Sequence, residues 1–425
     1  MVSFFYRRTM KCKLLAAIVL ALTTILVGCT TQSNNNTTLI RANKFWKGCG
    51  FIDQTGKWII KPRFYYVGYF TENGLAVVTN KKGKYGYIDK TGKMAIKPQF
   101  DYAYNFVKNG LACVELNGKW GCIDETGNWV INPQFDWAGY FAENGWAIAE
   151  LNDKWGYIDE TGKWVIKPQF DDAWPFAENG WAIAELNDKW GYIDETGMWV
   201  INPQFDDAWS FAENGLARVK LNDKYGYIDI TGNWVINPQF YDADDFDENN
   251  LARVELNRQW GYIDKTGKWV INLQDWVGQF AENGLARAEL NRQWGYIDKT
   301  GKWIINPQFD YACSFAENGL ARVQLNDKWG YIDTTGNWVI NPQFDQADDF
   351  DEDDLAPVEL NGKWGCIDKA GNWIVNPQYH DVKIYENTIF FEQNGLWGIV
   401  DNNGNIVAKP QFDWVISDIS RYVIY

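Results

Sequence analysis

The feature that most constrains this sequence is a unit of 35 residues that recurs along almost its whole length. The unit is cleanest at residues 186–220, which read LNDKWGYIDETGMWVINPQFDDAWSFAENGLARVK. One glycine marks its phase, and it recurs every 33 to 36 residues, at Gly50, Gly86, Gly121, Gly156, Gly191, Gly226, Gly261, Gly295, Gly330, Gly365 and Gly398. Eleven copies therefore lie in register, and a period of this length predicts a repeat architecture.

The residues around this glycine vary little between copies. The residue before it is Trp in eight copies, Tyr at Tyr85 and Tyr225, and Cys at Cys49, and Tyr-Ile-Asp follows in most copies. The stretches LNDKWGYIDETG and KWVINPQFD resemble the WG (KWG) repeats of bacterial surface and secreted proteins. The resemblance covers nearly the whole chain after its first 44 residues and implies a β-repeat protein. Because that family is known by its repeat and not by one activity, the resemblance implies no particular ligand.

Each copy is predicted to contain three short strands. In the copy at 186–220 these are Lys189–Asp194, Met198–Asn202 and Leu216–Leu221. The segment 194–197 has Asp first and Gly fourth, which is typical of a type I turn closing a hairpin with a bulge. Pairs such as Asn152-Asp153 favour a two-residue type I′ turn, and Pro203 is expected to end the middle strand.

These elements predict an all-β fold, a tandem array of about eleven 35-residue three-stranded repeats in an elongated solenoid or superhelix. The alternative is a closed propeller-like toroid. It is disfavoured because propeller blades usually need about 40–45 residues and four strands. The first and last copies have drifted, which favours an open array, with Trp414–Tyr425 expected to cap its exposed end.

Composition supports an ordered core and disfavours nucleic acid as a partner. The chain contains 25 Trp, 22 Tyr and 24 Phe, so one or two large rings per strand can build a core from thin repeats. Its net charge is −15, which repels phosphate backbones. No nucleic-acid partner is expected.

The N-terminus predicts export. Residues 1–28 combine basic residues with an apolar run and are predicted to be a lipoprotein signal peptide. The segment Leu26–Cys29 resembles a bacterial lipobox, which implies lipid attachment at Cys29; an uncleaved anchor helix is the alternative. Residues 29–44 are then a flexible tether, 45–380 the repeat array, and 381–425 a degenerate last repeat with its cap. The expected location is the bacterial cell envelope, at the outer membrane if the cell has two membranes.

Residues that recur in nearly every copy are expected to be structural. They include Trp155, Gly156, Trp190, Gly191, Trp260, Gly261, Trp329 and Gly330. Tryptophans outside the regular positions are the candidate ligand-binding residues, namely Trp137, Trp146, Trp174, Trp181 and Trp209. An exposed aromatic patch could stack sugar rings or anchor a partner protein. Extra packing in the middle of the array is the alternative.

Strand register predicts two kinds of cross-strand contact. With Asn257-Arg258 as a two-residue turn, Arg253 lies opposite Tyr262, and a guanidinium over the Tyr face is expected there and in the equivalent pairs. With Asn117-Gly118 as the turn, Cys113 faces Cys122 in a non-hydrogen-bonded pair. This pair is expected to form a disulfide in an oxidising compartment.

The sequence contains few of the residue patterns that enzymes use. His380 is the only histidine, and it is accompanied by no nucleophile-elbow motif and by no cluster with zinc-ligand spacing. The acidic stretches 242–248 and 348–354 lack the ligand order of a calcium loop and are expected to be solvated edges. No cofactor or metal is expected. The predicted function is a non-enzymatic, lipid-anchored scaffold for protein interaction or adhesion; the alternative is glycan or peptidoglycan binding through exposed tryptophans.

Overall fold

A computed structural model describes residues 38–44, 47–385 and 387–415 of the chain. In this part every regular element is a β-strand, which confirms the all-β prediction. No helix there has the length and apolar character needed to cross a membrane. The strands form eleven separate four-stranded antiparallel sheets, which we call blades 1 to 11.

Within each blade the first, second, third and fourth strands are hydrogen-bonded in that order. Blade 1 contains β44 (Trp414–Val415), β1 (Ile40–Lys44), β2 (Gly48–Ile52) and β3 (Trp58–Phe64). Blade 2 contains β4 (Tyr66–Val67), β5 (Leu75–Thr79), β6 (Tyr85–Asp89) and β7 (Met94–Phe100). Blade 3 contains β8 (Tyr102–Ala103), β9 (Ala112–Leu116), β10 (Lys119–Ile123) and β11 (Trp129–Phe135). Blade 4 contains β12 (Trp137–Ala138), β13 (Trp146–Leu151), β14 (Lys154–Asp159) and β15 (Trp164–Phe170).

The next four blades repeat this order. Blade 5 contains β16 (Asp172–Ala173), β17 (Ala182–Leu186), β18 (Lys189–Ile193) and β19 (Trp199–Phe205). Blade 6 contains β20 (Asp207–Phe211), β21 (Leu216–Leu221), β22 (Lys224–Asp229) and β23 (Trp234–Phe240). Blade 7 contains β24 (Asp242–Ala243), β25 (Leu251–Leu256), β26 (Gln259–Asp264) and β27 (Trp269–Gln274). Blade 8 contains β28 (Trp276–Val277), β29 (Leu285–Leu290), β30 (Gln293–Asp298) and β31 (Trp303–Phe309).

The last three blades follow the same pattern. Blade 9 contains β32 (Tyr311–Ala312), β33 (Ala321–Leu325), β34 (Lys328–Ile332) and β35 (Trp338–Phe344). Blade 10 contains β36 (Gln346–Ala347), β37 (Leu355–Leu360), β38 (Lys363–Asp368) and β39 (Trp373–Tyr379). Blade 11 contains β40 (Asp381–Tyr385), β41 (Thr388–Gln393), β42 (Leu396–Val400) and β43 (Ile406–Phe412).

The array is a closed eleven-bladed propeller. Strand β44, from the C-terminal part of the chain, is the first strand of blade 1 and pairs Val415 with Ala42 and Trp414 with Asn43. The open solenoid was therefore the wrong prediction, and its alternative, the closed toroid, is confirmed. Trp414 and Val415 do not cap an exposed end, because they complete a blade; residues 416–425 lie outside the described residues.

Two further sequence predictions are corrected. Each blade has four strands and not three, because the segment after the fourth strand supplies a first strand that is only two residues long in most blades. A single residue, such as Asp171, separates one blade from the next, so 35 residues suffice. The structure also shortens the predicted tether, since Ile40–Lys44 is a strand of blade 1.

The turns form as their residue types predict. Asn152 and Asp153 have φ values of 56° and 61°, as a type I′ turn requires. The Gly197 N–H donates to the Asp194 carbonyl at 2.9 Å, which closes the type I turn. One Asp194 carboxylate oxygen accepts from the Thr196 hydroxyl and from two backbone N–H groups. These hydrogen bonds, the one from Thr196 first, lower the pKa of Asp194.

The fourth strand continues through Pro203 to Phe205, whereas the sequence predicted that it ends at Asn202. This strand is the edge of its sheet, so the missing N–H of proline deprives no partner strand of a bond. Its register with the third strand shifts next to Gly191. A Cβ on Gly191 would lie 2.5 Å from the Ile201 carbonyl oxygen, so this position admits only glycine.

The hydrophobic core lies between neighbouring blades. Between blades 4 and 5, for example, Ile148, Trp155 and Tyr157 pack against the small residues Ala173 and Ala184. Ring pairs cross most blade boundaries edge to face, with centroids 5.3–6.2 Å apart, in Phe100–Trp129, Phe135–Trp164, Phe170–Trp199, Phe205–Trp234, Phe240–Trp269, Phe309–Trp338 and Phe344–Trp373. The boundary between blades 11 and 1 has the same pair, Trp58 with Phe412 at 5.5 Å.

Candidate functional site

The recurring Trp-Gly residues hold the blades together in this structure. Trp155, Trp190 and Trp329 are buried, and Trp260 is half-buried. A Cβ on the glycine that follows each of them would lie within 2.6 Å of the carbonyl oxygen of an isoleucine in the fourth strand, as at Gly156, Gly191, Gly261 and Gly330. The neighbouring backbone thus approaches more closely than any side chain allows.

The five irregular tryptophans do not form one patch. All of them are half-buried. Trp146 begins the second strand of blade 4, and Trp181 directly precedes that of blade 5. Both pack edge to face on a phenylalanine of the next blade, Phe176 at 5.3 Å and Phe211 at 5.4 Å. The remaining three, Trp137, Trp174 and Trp209, lie in or beside the first strand. The two sets lie at different ends of the hairpin, because Trp146 pairs with Asp159 whereas Trp137 pairs with Glu150, next to its turn.

First-strand tryptophans alternate between two positions. Trp137 is followed by Gly139, where a Cβ would lie 2.8 Å from the Trp137 ring. In the next blade Asp172 stands at the first of these positions and Trp174 at the second. Blade 3 has a ring at both positions, Tyr102 and Tyr104, with centroids 5.4 Å apart. Trp137 contacts Trp155 at 5.2 Å between ring centroids, which shows that this ring is partly a packing residue.

The strand register of the arginines was predicted correctly, but the aromatic ring that they contact was not. Arg253 lies opposite Tyr262, as expected. Its guanidinium, however, lies over Trp260, 4.6 Å from the ring centroid. The Tyr262 ring is buried, and its hydroxyl donates to the Gly278 carbonyl of the next blade at 2.7 Å. The phenol thus connects two blades and is unavailable to the arginine.

The acidic stretches 242–248 and 348–354 pair with basic side chains. Arg253 Nε donates to Asp244 at 2.8 Å, Arg322 Nε donates to Asp349 at 2.8 Å, and Lys369 donates to Asp354 at 2.6 Å. Among the described residues, no three His, Cys, Asp or Glu side chains come together in a way that could hold a metal ion. His380 is on the surface, with Nδ1 4.0 Å from a Glu392 oxygen.

Cys113 and Cys122 are opposite each other in the register that the turn predicts, with Cα atoms 4.0 Å apart, and the structure joins them by a disulfide. Cys122 replaces the tyrosine that most blades have at this position. Cys49, Cys313 and Cys366 are buried free thiols. Burial raises the pKa of Cys49 to about 11 and that of Cys366 to about 12, so neither is a reactive nucleophile at neutral pH. Cys29 lies outside the described residues.

Sequence reasoning missed a group of tyrosines on blades 2 to 4, which we call the tyrosine surface: Tyr66, Tyr69, Tyr85, Tyr102, Tyr104 and Tyr140. Tyr69 is 48% exposed and Tyr66 is 41% exposed. Tyr102 contacts Tyr85 at 5.0 Å between ring centroids, and Tyr104 contacts Tyr140 at 6.2 Å. The rings therefore form a continuous group across three blades.

The hydroxyls of this surface lie close together and partly out of water. Burial raises the pKa of Tyr140 to about 12, and the nearby Tyr69 raises it further. Burial also raises the pKa of Tyr102, to which Tyr66 adds. Burial raises the pKa of Tyr66, Tyr85 and Tyr104 as well, so these five phenols are neutral hydrogen-bonding groups at physiological pH. Alignment of the copies at the first strand could have found this surface, because blades 2 and 3 have Tyr66 and Tyr102 where blade 5 has Asp172.

A shallow cleft in blade 5 gives Trp181 a polar surrounding. It has a volume of about 470 Å³ and is lined by Glu178, Asn179, Gly180, Trp181, Asp194, Glu195 and Thr196. These residues come from the turn before the second strand and the turn between the third and fourth strands. One ring thus lies among several hydrogen-bonding groups.

Comparison with known proteins identifies the repeat. The family described as "WG containing repeat" matches in eleven consecutive segments, which begin at residue 50 and end at residue 420. No curated protein sequence matches the chain.

Solved structures resemble the chain only weakly. A structure entitled "Crystal structure of the eukaryotic initiation factor" has a TM-score of 0.37 and 10% identity, over 72% of this chain and 98% of that one. The extracellular domain of the putative one component system BT4673 from B. thetaiotaomicron has a TM-score of 0.26 and 11% identity, over 92% and 69%. PorZ, described as a surface component of the type-IX secretion system of Porphyromonas gingivalis, has a TM-score of 0.24 and 10% identity, over 88% and 68%. Similarities of this size say nothing about function.

Proposed function

This chain belongs to the family of proteins built from the WG containing repeat, and we propose that it is a non-enzymatic interaction scaffold of the bacterial cell envelope. In this proposal a lipid on Cys29 anchors the propeller, and the tyrosine surface binds a partner protein. The anchoring part of the proposal rests on the sequence of residues 1–29 alone.

The tyrosine surface is the observation that carries the proposal. Tyr66 and Tyr69 are exposed on blade 2, beside Tyr65, which is 73% exposed. Tyrosine is enriched in the centres of protein interfaces because its large ring buries apolar area while its hydroxyl forms a hydrogen bond. Its few rotatable bonds also keep the entropy cost of binding low. A surface of six such rings on adjacent blades is therefore suited to a protein partner.

The roles of the recurring carboxylates support a non-catalytic protein. Asp194 and its equivalents accept the hydrogen bonds of their own turns. Asp206 pairs with Lys189 at 2.5 Å and also accepts from the Asn222 N–H, so it links consecutive blades. A catalytic carboxylate needs a free oxygen directed at substrate, and these side chains use theirs to stabilise the propeller.

The disulfide supports the envelope part of the proposal, because structural disulfides persist in oxidising compartments. Radiolabelled palmitate should be incorporated into the full chain expressed in a bacterium. The Cys29→Ser variant should lose the label and leave the membrane fraction. A variant that is still labelled would contradict anchoring at this residue.

The partner is sought by crosslinking the full chain in its native envelope. A protein captured by the wild type should be lost with the Tyr66→Ala/Tyr69→Ala double variant. It should be retained with Tyr241→Ala, because Tyr241 is 57% exposed but lies between blades 6 and 7, outside the tyrosine surface. The purified partner should then bind the purified propeller with the same dependence on these tyrosines. Equal capture by all three forms would refute this surface as the binding site.

Glycan binding is the second candidate, and the cleft at Trp181 favours it. Sugar sites combine an aromatic ring with several hydrogen-bonding groups, and this cleft contains both. Purified sacculi should then co-sediment the wild type but not Trp181→Ala. Met198→Ala is the control, since Met198 is 68% exposed in the same blade and does not line the cleft. Sedimentation that is the same for both variants would exclude the cleft.

A further inference from the structure

Four arginines occupy the same position in blades 6 to 9, namely Arg218, Arg253, Arg287 and Arg322. Each donates a hydrogen bond from Nη1 to the carbonyl of the residue that ends the two-residue first strand of the next blade. The acceptors are Ala243, Val277, Ala312 and Ala347. The four guanidinium groups are therefore held in equivalent places, and their other contacts can be compared directly.

Three of the four arginines have a carboxylate beside Nε. The Nε–oxygen distance is 3.2 Å from Arg218 to Asp245, 2.8 Å from Arg253 to Asp244 and 2.8 Å from Arg322 to Asp349. The repeat thus shows what this edge of the guanidinium binds. An arginine and a carboxylate form a charge-assisted hydrogen bond, which is among the stronger polar contacts in proteins.

Arg287 is the exception. In the described part of the chain it is the one arginine of the four that forms no ion pair. Its Nε is shielded from solvent and donates no hydrogen bond; the same is true of Arg218 Nε, which however lies 3.2 Å from the Asp245 carboxylate. The sequence explains this difference. Blade 9 has Cys313 and Ser314 where blade 10 has Asp348 and Asp349, and blade 8 has Gly278 where blade 7 has Asp244. Arg287 thus has an unpaired donor at the edge where its three equivalents bind a carboxylate.

Aromatic rings surround this guanidinium. Its central carbon lies 4.8 Å from the Trp276 ring centroid, 5.4 Å from that of Trp294 and 5.8 Å from that of Tyr311. Arg287 Nη1 also donates to the Tyr311 hydroxyl at 3.2 Å, and Tyr311 is 38% exposed. The rings contact one another in sequence, Trp276 with Trp294 at 5.3 Å and Trp294 with Tyr311 at 5.2 Å.

We propose that Arg287, Trp276, Trp294 and Tyr311 form a binding site for a carboxylate-bearing sugar, such as a hexuronate unit of an acidic polysaccharide. The sugar carboxylate accepts a hydrogen bond from Nη2, which donates to no acceptor among the described residues and lies next to the buried Nε. The C–H face of the sugar ring packs against the exposed ring of Tyr311, beside the half-buried Trp294. Glu289 lies on the same face and Gln324 pairs with Tyr311, and both can bind sugar hydroxyls.

The charges around the site favour one carboxylate over a dense polyanion. The neighbouring Arg253 and Arg322 are already paired with aspartates, so among these arginines Arg287 is the one without a carboxylate partner. The chain carries a net charge of −15, which repels multiply charged phosphates. This site is on blades 8 and 9 and does not depend on the tyrosine surface, so its failure would leave the proposed function untouched.

The test is isothermal titration of the purified full chain with trigalacturonate. Its carboxyl-reduced, neutral counterpart and acetate serve as probes of the two parts of the site. The wild type should bind trigalacturonate at one site. The neutral trisaccharide should bind at least about tenfold more weakly because it lacks the charge-assisted hydrogen bond. Acetate should also bind at least about tenfold more weakly, because it has no sugar ring to bury against the aromatic side chain. Absence of trigalacturonate binding would overturn the proposal, and so would equal binding of either probe.

Ser314→Asp is the decisive variant, because it adds the aspartate that blade 10 has at this position. It should fold at least as stably as the wild type and bind trigalacturonate at least about tenfold more weakly, since its own carboxylate then pairs with Arg287. Arg287→Gln should lose binding as well. Arg292→Gln, a turn residue of the same blade, removes the same charge and should bind normally. Unchanged affinity in Ser314→Asp would overturn the site.

Discussion

Tyr227 illustrates how single residues connect the blades. Its ring is fully buried, and its hydroxyl donates to the Asp244 carbonyl of the next blade at 2.6 Å. The same bond recurs from Tyr87, Tyr157, Tyr192, Tyr262, Tyr296 and Tyr331. The sequence predicted that recurring residues are structural, but it placed an arginine on the tyrosine face. That prediction used one hairpin alone, whereas the tyrosine hydroxyl and the arginine both bind the following blade.

Tyr227→Phe should lower the free energy of unfolding by about 1 kcal/mol, because it removes one hydrogen bond and leaves the ring in place. The urea midpoint measures this change. Tyr241→Phe is the control, since the Tyr241 side chain is 57% exposed, and its midpoint should equal that of the wild type. Equal midpoints for all three proteins would mean that the hydrogen bond between blades contributes nothing.

Glu185 gives a pH dependence whose direction follows from its surroundings. Burial raises its pKa to about 7 from a usual value of 4.5, with nearby Asp172 as the next cause, followed by Asp188, Asp171 and Asp207. Because its pKa is higher in the folded protein, its contribution to stability is full below pH 4.5 and is lost as pH rises through 7.

Glu185→Gln should therefore stabilise the protein at pH 8 relative to the wild type, by about 1 kcal/mol once partial exposure is taken into account. The two proteins should differ less at pH 5. Thermal unfolding at both pH values measures the effect. Glu195→Gln, an exposed turn residue, serves as the control. A stability difference that is the same at both pH values would show that Glu185 does not titrate in this range.

At the scale of strands and turns, local rules predicted the structure well. The type I and type I′ turns follow from short motifs, and the Cys113–Cys122 register follows from counting outward from one turn. The two-residue first strand, such as Asp172–Ala173, was missed because its length gives no periodic pattern. The end of the fourth strand was misplaced because Pro203 is tolerated at a sheet edge, and edge position is a property of the whole sheet.

Gly191→Ala should destabilise the protein by about 2–4 kcal/mol, since the added methyl group would lie 2.5 Å from the Ile201 carbonyl oxygen. Gly362→Ala is the comparison. No atom lies within 4 Å of its added methyl group, so it should cost only the about 1–2 kcal/mol of a left-handed backbone. Chemical denaturation of both variants measures which of them loses more stability. A smaller loss for Gly191→Ala would contradict close approach of the two strands.

Reduction of the Cys113–Cys122 disulfide should lower the free energy of unfolding by about 2–3 kcal/mol, the loop-closure entropy for a sequence separation of 9, and should leave the propeller folded. Thermal unfolding with and without dithiothreitol measures the loss. The Cys113→Ala/Cys122→Ala variant should not respond to the reductant. A response in that variant would assign the effect to another part of the chain.

The closure of the whole molecule could not be derived from one repeat. An open array and a ring use the same contacts between neighbours, and they differ only in the small rotation that accumulates over eleven copies. In the structure the last boundary repeats the others: a Cβ on Gly56 of blade 1 would lie 2.5 Å from Cβ of Ala408 in blade 11, as Gly162 of blade 4 approaches Ile131 of blade 3. The tyrosine surface and the Arg287 site both extend over consecutive blades, so each depends on this arrangement.

Distance measurement between blades 1 and 11 tests the ring most directly. Spin labels at Lys57→Cys and Lys409→Cys, on facing parts of the two blades, are measured by pulsed electron paramagnetic resonance. Adjacent packed sheets are about 10 Å apart, so a closed propeller predicts a short distance, of roughly 10–30 Å once the label linkers are included. An open array with ten such spacings would separate the labels by about 100 Å, and that result would contradict the closed propeller.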